Sequence, residues 1–224
     1  MRYLIIDASP RAKRESTTSL VADSFANGLR EKDHAVAIME LRRRNQWEKL
    51  TLEIPHSDGV IIAMPLYVEN MPGLLLEYLQ SLSLGALTGV ALGYIIQGGF
   101  GEAHQLRCCE TYCKIASQQL DADYIGCAVK GDMFGLATMR GDRYSRNMLE
   151  RFHQLGRQFG SCGSFLDMDV GKLAGGEYYS KPILLLNKAL KPLSKLAWNA
   201  IGKKAGAKAP LDAQPLLENR ERRP

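Results

Sequence analysis

The sequence predicts an α/β fold: a doubly wound, five-stranded parallel sheet of strand order 2-1-3-4-5, followed by a helical C-terminal extension. Three observations carry this. Five short apolar runs, several rich in β-branched residues, read as strands buried on both faces. Segments with apolar residues at helical spacing alternate with them, the pattern of right-handed strand–helix–strand crossovers. A count of five strands fits the 2-1-3-4-5 form best among the common doubly wound orders. With 224 residues, 46% hydrophobic and 24% charged, the chain is long enough for one good core.

Residues 3–8 (YLIIDA) form the first strand. A polar loop, 9–16, leads into a helix over 17–30, where Leu20, Val21, Phe25 and Leu29 keep a helical period. Strand two is 36–41, and the charged stretch 42–55 is a short helix with frayed ends. Residues 59–64 (GVIIAM) are strand three. The loop 65–73 contains two prolines, and 74–84 is helical. Strand four, 90–97, ends in Gly98-Gly99. A long helix covers 102–120, strand five is 124–129, and the last helix of the body is 147–159. The chain is expected to divide into a body, 1–165, and an extension, 166–224.

Charge respects that division. The net charge is +5, but 181–224 holds ten Lys/Arg against three Asp/Glu, a net of +7. The remainder holds 19 against 21, a net of −2, so the body carries no basic surface for nucleic acid. Residues 183–201 are amphipathic: Ile183, Leu186, Leu190, Leu193, Ala197 and Ile201 share a face opposite Lys188, Lys191 and Lys195. Pro192 kinks or splits this helix. Packing on the body or on a second subunit is the preferred reading of the stripe, and contact with an anionic membrane surface is the other. Residues 203–224 read as loose and polar.

The apolar run at 3–6 is too short for the core of a signal peptide, and no stretch approaches the ~18 apolar residues of a membrane span. Cys108, Cys109, Cys113, Cys127 and Cys162 are an odd number in a large body, which disfavours a secreted disulfide framework. Their spacing lacks a C-x-x-C pair and a matching His, so they read as structural thiols and no metal site is expected. The expected location is the cytoplasm.

In a doubly wound sheet, ligands bind beyond the carboxyl ends of the strands at the switch point beside strand one. Three loops lie there. In the first, Ser9, Arg11, Ser16, Thr17 and Thr18 bring hydroxyls and a guanidinium to the free amides of a helix start, which is what a phosphate requires; the plainer reading is a capped helix with a solvated loop. The loop contains neither G-x-x-x-x-G-K-[ST] nor G-x-G-x-x-G, and no cysteine. In the second, Pro65, Leu66, Tyr67 and Val68 offer an apolar, stiffened frame for a flat aromatic ligand. Equally, Pro65 ends a strand and Pro72 opens a helix. In the third, Gly98, Gly99 and Phe100 allow close approach to the main chain, or simply make a tight turn.

These motifs carry a resemblance. D-A-S-P-R followed by S-T-T resembles the phosphate loop of the NAD(P)H-dependent FMN and quinone reductase branch of the flavodoxin-like superfamily. D-G-V-I-I-A-M-P-L-Y-V-E-N-M-P-G at 58–73 resembles that branch's flavin-ring loop, and Q-G-G-F-G-E at 97–102 resembles its glycine-rich loop after strand four. The matches cover roughly residues 2–136. The resemblance implies that Ser9, Arg11, Ser16, Thr17 and Thr18 hold the phosphate of FMN. Pro65, Leu66, Tyr67 and Val68 would frame its ring, with Gly98, Gly99 and Phe100 on the other side. Many relatives carry cluster-binding cysteines after strand two; residues 42–57 have none, so no iron–sulfur cluster is expected.

The implied activity is hydride transfer from NADPH or NADH through FMN to a small acceptor, such as a quinone or free flavin, in a ping-pong cycle, by a homodimer. No side chain is assigned as catalytic, because the cofactor carries the difficult chemistry. The alternative is a flavodoxin-like electron carrier without nucleotide turnover of its own.

Overall fold

The computed structural model describes residues 1–83, 85–137, 139–204 and 206. Strands β1 (Arg2–Asp7), β2 (Ala35–Glu40), β3 (Gly59–Pro65), β4 (Ala91–Gln97) and β5 (Asp123–Lys130) form one parallel sheet in the expected order, β2-β1-β3-β4-β5. In register, Ile5 lies beside Ile38 on one side and Ile61 on the other. Alternate side chains of β1 serve opposite faces: Leu4 and Ile6 enter one buried cluster, Tyr3 and Ile5 the other. Both faces are covered, which is why the strands read as unbroken apolar runs.

Helices α1 (Thr17–Arg30) and α5 (Arg143–Cys162) cover one face through Phe25, Leu29, Phe152 and Phe159. On the other lie α2 (Trp47–Glu53), α3 (Gly73–Ser81) and α4 (His104–Gln119), through Leu50, Leu75, Leu106 and Cys109. Helix α5 starts a turn before the expected 147 because Asp142 caps it: Oδ1 accepts from the Ser145 amide at 2.6 Å. It runs on past Phe159 until Gly163, at φ 77°, supplies a left-handed stop. Where α1 meets α5 the backbones nearly touch. A Cβ on Gly28 would sit 2.0 Å from the carbonyl oxygen of His153, and one on Gly156 would sit 2.1 Å from that of Phe25.

The chain divides into two compact units, Met1–Tyr178 and Tyr179–Pro224. The first unit extends past the expected boundary at 165, because the chain just beyond that point still contributes to the core. Phe165, Leu173 and Ala174 are buried, the last two in the one-turn α6 (Gly171–Ala174). The chain then crosses the start of α4, which lacks a side-chain cap. There the carbonyls of Gly176 and Glu177 accept from the amides of Ala103 and His104, and the Glu177 carboxylate pairs with Arg107. In the second unit, α7 (Lys181–Lys204) continues unbroken through Pro192, so the expected split does not occur. Of the tail expected to be loose, 205 and 207–224 lie outside the described residues.

All five cysteines are free thiols. Cys109, Cys113 and Cys127 are buried, and burial pushes the thiols of Cys113 and Cys127 well up, so they act as small hydrophobes.

Candidate functional site

A cavity of about 280 Å³ opens at the carboxyl ends of β1, β3 and β4. Eleven of the twelve residues singled out from sequence line it: Ser9, Arg11, Ser16, Thr17, Thr18, Pro65, Leu66, Tyr67, Gly98, Gly99 and Phe100. Val68 does not. It sits at the tip of a two-residue hairpin in which Tyr67 and Asn70 exchange backbone bonds of 2.9 and 3.1 Å, and it is 98% exposed.

The first loop is organised by one buried carboxylate. Asp7 accepts from the Ser9 amide at 3.0 Å and from the Ser19 hydroxyl, and Ser9 Oγ accepts from the Arg11 amide at 3.2 Å. Burial raises the Asp7 carboxyl above the usual carboxylate range, while the bonds from Ser19 and Ser9 pull it down. Ser16 is the N-cap of α1, its Oγ accepting from the Ser19 amide at 3.1 Å. The amides of Thr17 and Thr18 have no protein acceptor among the described residues. They sit at the positive end of a 14-residue helix, beside the Thr17 and Thr18 hydroxyls.

The other wall is built from strand ends. The Leu66 amide donates to the Gln97 carbonyl at 2.7 Å, tying the Pro65–Tyr67 stretch to the glycine loop. The Gln97 side chain donates Nε2 to Thr18 Oγ1 at 2.5 Å, and its Oε1 is buried without a partner among the described residues. The loop after β5 closes the rim with Met133, Phe134 and Gly135. It is sewn to the glycine loop by bonds from the Met133 amide to the Gly98 carbonyl and from the Asp132 amide to the Phe100 carbonyl. Neither Gln97 nor this rim was expected from sequence. The only signal was that Gln97 ends a strand next to Gly98-Gly99; residues 133–135 carry no motif or periodicity.

The cavity is thus polar and positive at one end, flat and apolar at the other. Among its lining residues Arg11 is the only charged one, and no carboxylate, imidazole or thiol lines it. Among the described lining residues the Tyr67 phenol is the one side chain that could exchange a proton in acid–base chemistry, and no thiol is present. What the residues suit is a bound molecule with an anionic end and a flat aromatic end.

The family described as having a flavodoxin-like fold matches residues 1–85. The fold is flavodoxin-like. An NAD(P)H:quinone oxidoreductase from Methanothermobacter marburgensis superposes with a TM-score of 0.57 at 16% identity, covering 71% of this chain and 96% of its own. An NADH:FMN oxidoreductase in its apo form gives 0.55 at 17% identity, over 82% and 98%. An FMN-dependent NADH-azoreductase from Bacillus anthracis, solved with FMN, gives 0.53 at 13% identity, over 73% and 99%. At such identities the likeness to these flavodoxin-like proteins is one of fold. No curated protein matches the chain in sequence.

Proposed function

We propose that the protein is an FMN-dependent oxidoreductase that takes a hydride from NADPH or NADH and reduces a small acceptor, such as a quinone or flavin, in a ping-pong cycle. The observation that carries this reading is the union, in one cavity, of a helix-start anion cradle with a flat apolar frame and an unsatisfied buried acceptor. FMN has a matching part for each: a phosphate, a planar ring, and N–H and O–H groups that Gln97 Oε1 can accept. The cavity's described lining holds no carboxylate, imidazole or thiol. The named reductases of the same fold support the same reading.

When bound, FMN would supply the redox chemistry, a two-electron transfer between nucleotide and acceptor. The chain's part is to bind and aim. The amides of Thr17 and Thr18, the hydroxyls of Ser9, Thr17 and Thr18, and Arg11 would hold the phosphate dianion. Pro65, Leu66 and Tyr67 would fix the ring plane, with Gly98, Gly99 and Phe100 opposite. We place Val68 outside this frame, since its side chain points to solvent. The five free thiols are in keeping with a reducing compartment, the cytoplasm.

The test is a visible spectrum of the purified protein, with FMN titrated in, followed by NADH and NADPH oxidation with menadione as acceptor. Bound flavin with turnover supports the reading. A protein that neither carries nor binds FMN overturns it, and bound flavin without turnover on either nucleotide replaces it with an electron carrier.

A further inference from the structure

From the second unit we infer that α7 is a surface anchor that lies on anionic phospholipid bilayers. The helix is 24 residues long and carries six lysines and no acidic residue. At 100° per residue, Leu185, Leu196, Leu193, Leu186, Leu190 and Ile201 fall within roughly 160° of one another. Lys191, Lys195, Lys188 and Lys181 lie on the opposite arc, with Leu184 among them, while Lys203 and Lys204 in the last turn fall within the apolar arc. Within its own unit none of these apolar side chains is buried. A single helix cannot cover its own apolar face, so this one needs a second phase or a partner.

Charge decides which. The helix has six lysines and no acidic residue, so its charge complements an anionic headgroup layer. Leucines on one arc and lysines on the other are the composition of an interfacial helix. Its length of about 36 Å is enough to reach across a bilayer core, but no described helix is apolar enough to cross one. The fit is therefore to the plane of the surface, leucines among the acyl chains and lysines at anionic headgroups.

Vesicle flotation with the full chain tests this. We expect binding to vesicles of 70% phosphatidylcholine and 30% phosphatidylserine, little to pure phosphatidylcholine, and release by 0.5 M salt. Changing Lys188, Lys191 and Lys195 to Gln is expected to weaken partition roughly a hundredfold, with circular dichroism unchanged. Leu190→Glu with Leu193→Glu is expected to abolish binding. No flotation with anionic vesicles overturns the proposal, as does equal binding to both compositions. A leucine pair that splits a dimer while the chain ignores vesicles would assign the face to a second copy instead.

Discussion

The Gln97 side chain donates a 2.5 Å hydrogen bond to the Thr18 hydroxyl and leaves its own carbonyl oxygen buried without a protein donor among the described residues. Under the proposed FMN reading, Oε1 is the acceptor for a ligand N–H or O–H. Gln97→Leu is therefore expected to leave stability within about 1 kcal/mol, since one hydrogen bond and one unsatisfied acceptor go together. FMN affinity should fall about tenfold, read by titration calorimetry. A variant that binds FMN as tightly as the parent would show that Oε1 meets no ligand group.

Gly28 and Gly156 set the distance between α1 and α5. An added methyl at either would lie near 2 Å from a backbone carbonyl, and backbone cannot swing aside as a side chain does. Gly28→Ala should cost about 2–3 kcal/mol or more in chemical denaturation, by prising the helices apart over Phe25 and Phe159. Gly156→Ala should behave alike, and the pair should cost less than the two singles together, since one separation relieves both clashes. Gly73→Ala is the control: nothing lies within 4 Å of its Cβ position. A Gly28→Ala protein as stable as that control would refute the close crossing.

The sheet was legible because each strand is buried on both faces and so spells a continuous apolar run. The first three loops were legible because the fold rule says where ligands bind once strand one is known. The features that stayed hidden each have a physical reason. The rim at 133–135 is held by amide bonds to the carbonyls of Gly98 and Phe100, and backbone pairing leaves no mark on side-chain choice. The unit boundary was hidden because Phe165, Leu173 and Ala174 pack as scattered single residues, without a periodic stripe.

Val68 is the one of the twelve candidate residues that does not line the cavity, and its backbone shows why. Val68 and Glu69 have φ of 49° and 64°, the two left-handed central positions of a tight hairpin. Such turns favour Asn-Gly, and a β-branched residue there is strained by about 1–2 kcal/mol. Val68→Asn with Glu69→Gly should raise the melting temperature by several degrees. FMN affinity should change little, because the Val68 side chain faces away from the cavity. A lower melting temperature would show that the valine side chain makes a contact worth more than the strain.

Asp7 gives the fold a pH dependence whose sign is set by its burial. Its folded carboxyl titrates above the ordinary value, so between that value and the folded one the native state holds more proton than the unfolded chain. Stability then falls as pH rises through this window, which opens near the ordinary aspartate value of about 4. Below the window the contribution is complete, and above it the cost of burying the charge is fully present. Asp7→Asn keeps an acceptor for the Ser9 amide and offers a donor to Ser19 Oγ, so the loop keeps its shape. The variant should be at least as stable as the parent at pH 7 and should lose the downward slope from its stability–pH curve. Urea midpoints from pH 4 to 7 give that comparison directly. A parent whose stability rises over the start of that range while the asparagine variant stays flat would mean that the Ser9 and Ser19 bonds outweigh the burial, and that Asp7 is held as a carboxylate throughout.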